Sequence, residues 1–224
     1  KYDDFITSNF ITTHPSTLNF LKKKKNFHYL PIPVDKNIEK LKIYENKNQI
    51  CDVFFSMSHG VNRGKLKRDK EDERHNFITD LITQCPNIIF DIYGYKNREP
   101  VWAEDFYKVI VNSKMALNLT RGKPIKYLTS NRIASLIGNG LLTFIDKKTK
   151  LDNFFNKNEV IFYSNLQDLA EKINRFKADD KARMKIAKNG RKKYFELFEC
   201  QKISDYIVSK SFNRETSKRL KWMD

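Results

Sequence analysis

Residues 126–146 read KYLTSNRIASLIGNGLLTFID. The stretch opens on small polar residues and an arginine, runs apolar, meets two glycines and passes straight into Leu141 to Ile145. An apolar run ending in glycine and followed by a second compact apolar run predicts a helix that delivers the chain to a buried strand. Gly138-Asn139-Gly140 then reads as the C-cap and tight turn between the two. The start of the helix has two readings. Ser130 or Asn131 is a plain N-cap by residue type. Equally, Lys126, Thr129, Ser130, Asn131 and Arg132 crowd a helix N-terminus, where unpaired backbone N–H groups and the helix dipole attract anions.

The alternation seen there repeats along the chain. Toward the N-terminus, Phe5 to Thr7 reads as a short strand or loop, and a helix is predicted after His14-Pro15-Ser16-Thr17, closing on Lys22 to Lys25. Phe27 to Leu30 is a short strand. Pro31-Ile32-Pro33-Val34-Asp35 is a stiff connector, since two prolines exclude a helix and a central strand. A polar, Lys/Asn-rich stretch runs to Ile50. Strands are then predicted at 52–57, 87–93, 115–119, 141–145 and 160–163, with helices from Arg74 to Ile82 and from Glu104 to Ser113, and a helical turn at 151–155. From Asn165 to Lys210 the pattern is helical throughout, with Asn165 or Ser164 as cap and Leu169, Ile173 and Phe176 at helical spacing. Strands alternating with helices predict an α/β fold with a doubly wound parallel sheet and a helical tail.

Composition bounds the rest. The chain has 224 residues, 40% hydrophobic, with 17 Phe and 10 Tyr, enough for a real core despite 31% charged residues. A net charge of +16 points to anionic partners, although abundant Lys, Asn and Ile are also what an AT-rich genome produces. Cys51, Cys85 and Cys200 are odd in number and far apart, which fits neither a disulfide framework nor a zinc site and suits a reducing cytoplasm. No apolar run approaches the ~18 residues of a membrane span. The chain starts at Lys1, in mid-pattern, as a fragment of a longer protein would.

In open α/β sheets ligands sit beyond the carboxyl ends of the strands. Just past the predicted strands lie Ser56, Ser58, His59 and Gly60 with Arg63, then Tyr93 and Gly94, then Arg121 and Gly122, and finally Lys126 and Thr129 to Arg132. Three of the seven glycines, Gly60, Gly94 and Gly122, fall on this one edge. Hydroxyls, backbone N–H groups and arginines of this kind suit a diphosphate, Arg binding it bidentately. His59 is either a surface loop histidine or a base. No phosphate-binding P-loop, dinucleotide fingerprint, serine-hydrolase elbow or paired metal-ligand motif occurs.

The order of these segments resembles the C-terminal, donor-binding half of a GT-B fold glycosyltransferase, in particular the group-1 and spore-coat-type families. The residues that carry the likeness are Pro31 to Asp35, Phe54 to Arg63, Ile92-Tyr93-Gly94, Leu117 to Gly122, Ser130 through Gly140, and Leu166 to Ile173 with Arg183 to Arg191. The resemblance divides the chain into 1–33, the remnant of an N-terminal domain and linker, 34–208, a Rossmann-like nucleotide-sugar-binding domain, and 209–224, a basic tail. It implies transfer of a sugar from a UDP- or GDP-type donor to a glycan, lipid-linked or protein acceptor, with no cofactor and no bound metal. The family's donor-holding glutamate should fall near Ser135, where no carboxylate stands. That departure leaves a non-catalytic, scaffold-like relative open, as the net charge leaves open a basic nucleic-acid-binding α/β domain. The resemblance further implies a cytoplasmic protein, with the basic runs Lys181 to Lys193 and Arg214 to Lys221 either touching the anionic inner membrane or simply solvated. No specific nucleic acid is expected, and the oligomeric state is left open.

Overall fold

A computed structural model describes residues 8–17, 26–57, 73–215 and 221–222. Two strands, β1 (Asn9–Ile11) and β2 (Phe27–Tyr29), form a small parallel sheet. The main sheet contains β3 (Cys51–Ser56), β4 (Phe90–Tyr93), β5 (Ser113–Asn118), β6 (Leu142–Asp146) and β7 (Ile161–Tyr163). Its order is β4-β3-β5-β6-β7, and every pairing is parallel. The α-helices are α1 (Glu73–Gln84), α2 (Ala103–Ile110), α3 (Asn131–Gly138), α4 (Leu166–Ala178), α5 (Asp180–Phe198) and α6 (Cys200–Ser211).

The apolar continuity of the strands follows from burial on both faces. In β3, Val53 and Phe55 face a core shared with Ile78 and Leu81 of α1 and with Leu169, Ile173 and Phe176 of α4. Phe54, one position along, faces the other way, toward Ile110 of α2 and Leu136 of α3. Helices on both sides make the sheet doubly wound, as predicted. A third core joins the inner face of α3 to α5 and α6 through Ile133, Ile137, Tyr194, Phe198 and Tyr206.

Several boundaries differ from the sequence reading. The helix in the 126–140 stretch is only Asn131–Gly138, because Ser130 caps it: its hydroxyl accepts from the Ile133 N–H at 3.3 Å. Lys126 to Thr129 are therefore non-helical. The helix expected over 104–113 ends at Ile110, and Ser113 instead begins β5. The strand expected from Asn87 begins at Phe90. Within the polar 36–50 stretch a short 3₁₀ turn, Ile43–Glu45, buries Ile43 against the α2/α3 face. Pro15–Thr17 is a 3₁₀ turn, and the strand or loop expected at Phe5 to Thr7 and the helix end expected at Lys22 to Lys25 lie outside the described residues. Gly140 does make the expected turn: its φ of +82° is left-handed, and a Cβ there would lie 2.5 Å from the Tyr44 ring.

The Pro31–Asp35 connector is held by the end of the helical tail. The Val34 N–H donates to the Phe198 carbonyl, and the Cys200 N–H donates to the Val34 carbonyl, both at 2.9 Å. The tail folds back further on, where buried Trp222 donates its indole N–H to the Leu197 carbonyl at 2.7 Å. No helix among the described residues is long and apolar enough to cross a membrane.

Candidate functional site

The strand order places β3 at the point where the winding of the sheet reverses, with β4 on one side and β5 on the other. A crevice outside the carboxyl ends of such strands is the expected ligand position. A cleft of about 570 Å³ lies there, within the range of small-molecule sites. It has two unlike walls. One is polar and is built by Ser56 at the end of β3 and by Thr129, Ser130, Asn131, Arg132 and Ser135 around the start of α3. The other is apolar and aromatic, built by Val101, Trp102, Ala103, Phe106 and Tyr107 at the start of α2. Thr12 and Ile32 complete the lining from the N-terminal segment.

The polar wall is held in place by its neighbours. Buried Thr129 accepts the Ile32 N–H at 2.8 Å, tying the connector to the α3 entry. Ser130 takes one first-turn donor of α3, the Ile133 N–H, and Asn131, the first helical residue, is exposed. The Arg132 guanidinium donates to the Leu119 carbonyl at 3.2 Å and lies 5.1 Å from the Phe55 ring centroid. Among the described residues no acidic side chain lines the cleft. The arrangement thus offers hydroxyls, an amide, a helix N-terminus and one guanidinium, all suited to negative charge.

The aromatic wall has an unusual backbone. Trp102 is extended, with φ −139°, and Ala103 is left-handed, with φ +48°. A non-glycine residue in that region is strained. Trp102 is 62% exposed, although it lines a cleft.

Six of the residues singled out in the sequence thus meet in one place: Ser56, Thr129, Ser130, Asn131, Arg132 and Ser135. Five others do not line the cleft. Tyr93 packs in the α2-side core under the Arg98 guanidinium, 3.7 Å from its ring centroid. Gly94 is pressed onto the residue that follows β3: with φ +72°, a Cβ there would lie 1.8 Å from the Met57 carbonyl oxygen. Arg121 is exposed, and the Gly122 N–H donates to the Glu73 carboxylate. Lys126 lies over the Tyr127 ring, and its carbonyl accepts from His14 and Thr13. Ser58, His59, Gly60 and Arg63 lie outside the described residues. The aromatic wall escaped the sequence reading because it lies well past β4, after Pro100. A tryptophan just before a helix start was its local signal. Among the described residues no three His, Cys, Asp or Glu side chains cluster as a metal site would require.

Comparison with curated protein sequences returned no match. Solved structures do match in fold. HepE from Anabaena, solved in complex with UDP, superposes with a TM-score of 0.66 at 14% identity, over 93% of this chain and 64% of that one. A TarM variant from S. aureus, in complex with fondaparinux, alpha-GlcNAc-glycerol and UDP, gives 0.63 at 14% identity, over 93% and 44%. Sucrose-phosphate synthase from Thermosynechococcus elongatus gives 0.53 at 12%, over 85% and 53%. The chain therefore spans less than two thirds of the length of these proteins, and the fold it shares with them is the GT-B type. At the level of sequence, the Glycosyl transferase-like family matches residues 70–209. That segment contains α1 through α5, α6 up to Ser209, β4 to β7 and the whole lining of the cleft except Ser56, Thr12 and Ile32. The chain belongs to the Glycosyl transferase-like family.

Proposed function

We propose that the chain is the donor-binding part of a glycosyltransferase, holding a UDP- or GDP-type nucleotide sugar in the cleft between α2 and α3. The observation that carries this reading is the polar wall. Ser130, Asn131 and Arg132 surround the N-terminus of α3 at the winding reversal of the sheet, with no carboxylate among the described residues of the lining. A diphosphate there meets a helix dipole, hydroxyl donors and a guanidinium. UDP bound to structural neighbours supports the same choice of ligand.

In transfer, negative charge accumulates on the leaving diphosphate as the bond to the sugar breaks. Preorganised donors aimed at that charge lower the barrier. Arg132 and the α3 N-terminus are the groups we assign to that task, without a bound metal or cofactor. Ser135, where the resembling families carry a glutamate, would face the sugar or ribose through a hydroxyl. The acceptor is a glycan, lipid-linked sugar or protein, and its binding surface would include Thr12 and Ile32 on the N-terminal side of the cleft. Contact of the basic faces with an anionic membrane belongs to the same proposal.

The test is a thermal-shift series with UDP, GDP and their sugars. Raised melting temperatures with at least one of these are expected, and Arg132→Ala should abolish the rise while changing unliganded stability by no more than about 1 kcal/mol. No shift with any nucleotide would refute the donor-site reading.

A further inference from the structure

The cleft is amphipathic in a way that a diphosphate alone does not explain. One wall is polar, and the other consists of Val101, Trp102, Ala103, Phe106 and Tyr107. A ligand matching both walls carries a charged half and a flat, weakly polar half. Resting on the nucleotide reading above, we propose that Trp102 is the stacking platform for the nucleobase, and that this end of the cleft grips a base by its face rather than by its edge.

Three observations converge on it. Trp102 keeps 62% of its surface open to solvent while lining the cleft, although an indole of that size is normally covered. The next residue, Ala103, is held at φ +48°, a conformation that an alanine adopts only where the surroundings enforce it. Strain of this kind, directly beside an exposed ring in a cleft, marks a ligand contact better than a packing accident. Finally, among the described residues of this wall the side-chain polar groups are only the Tyr107 hydroxyl and the indole N–H of Trp102 itself. Without amides or charges to read a base edge, stacking supplies the grip. Every base has a π face, so stacking tolerates base identity. UDP, CDP, GDP and ADP should therefore bind within about tenfold of one another, and stacking should contribute roughly 10- to 100-fold in affinity.

The chain has two tryptophans, and the other, Trp222, is 2% exposed with its indole N–H bonded to Leu197. A change in intrinsic fluorescence on filling the cleft therefore reports on Trp102, over a constant background from buried Trp222. The four nucleoside diphosphates and inorganic pyrophosphate are titrated into the wild-type chain and into Trp102→Ala and Trp102→Phe, with affinities measured by calorimetry. Expected results are quenching by all four nucleotides but not by pyrophosphate, a loss of roughly 10- to 100-fold in nucleotide affinity in W102A, and recovery of most of it in W102F. Pyrophosphate affinity should be unchanged in both variants. Nucleotide binding that persists at full strength in W102A, or a preference of more than about a hundredfold for one base, overturns the role of Trp102 but leaves the donor site standing. Failure of every nucleotide to bind the wild-type cleft overturns both.

Discussion

The two edges of the same five-stranded sheet are built to opposite ends. At the N-terminal edge, buried Asp52 on β3 accepts the Ile89 N–H and the Lys177 ammonium at 2.9 Å each, with Lys114 of β5 at 3.5 Å. Arg183 of α5, 2% exposed, reaches the Lys114 carbonyl and pairs with Asp180. Charge there is matched within the fold, and it locks α4 and α5 to the strands. At the C-terminal edge the polar groups of the α3 start face an open cleft beside a strained turn and an exposed indole. A sheet whose polar groups are all internally matched is stable but cannot bind. Polar groups left facing a cleft are available to a ligand, and the closed edge supplies the stability that the open one lacks.

This contrast can be broken or sharpened by substitution. The largest effect is expected from Gly94→Ala, which belongs to the open edge by position but to the closed one by function. The new Cβ would meet the Met57 carbonyl at a backbone φ no alanine favours, so a loss of roughly 4 kcal/mol is expected by chemical denaturation. A near-neutral result would show that the β3–β4 edge yields easily.

Asp52→Ala comes next, at about 2–3 kcal/mol, since it leaves two partly buried ammonium groups without their carboxylate. Burial alone would push the Asp52 carboxyl up, but the Ile89 N–H, Lys177 and Lys114 hold it below its usual value. A depressed folded pKa stabilises the protein above the unfolded value of ~3.9 and ceases to do so as pH falls through the folded value. The stability gap between wild type and variant should therefore narrow in acid, below about pH 4, as followed by melting curves across pH. A gap of constant size would mean that packing, not charge, makes the closed edge.

The smallest change in stability is expected for Ser130→Ala, about 1 kcal/mol for a lost helix cap. Here the informative reading is the melting shift given by UDP. The proposed diphosphate contact requires that shift to shrink as well, whereas a cap alone would leave it intact.

Much of this fold was legible without coordinates. β3, α1, the turn at Gly140 and the Asn165 cap of α4 all stand where local pattern put them, because each is fixed by near neighbours in the chain. Element ends such as Ser113 and Asn87 were not, since strand pairing rather than propensity decides where a strand starts. The site divides along the same line. Ser56 and Thr129 to Arg132 could be read because they fall directly after predicted strands or at a helix start. Tyr93 and Gly94 had the right address, but the Arg98 contact and the Met57 carbonyl turn them to packing.

The sequence by itself thus determined the element types, the parallel doubly wound class and the polar half of the cleft. It did so because hydrophobic period, caps and glycines act over a few residues. Only the tertiary structure decided which wall faces that half. Strand order β4-β3-β5 carries α2 across β3 to stand against α3, and it is this crossover that sets Trp102 opposite Arg132 with 29 residues of chain between them.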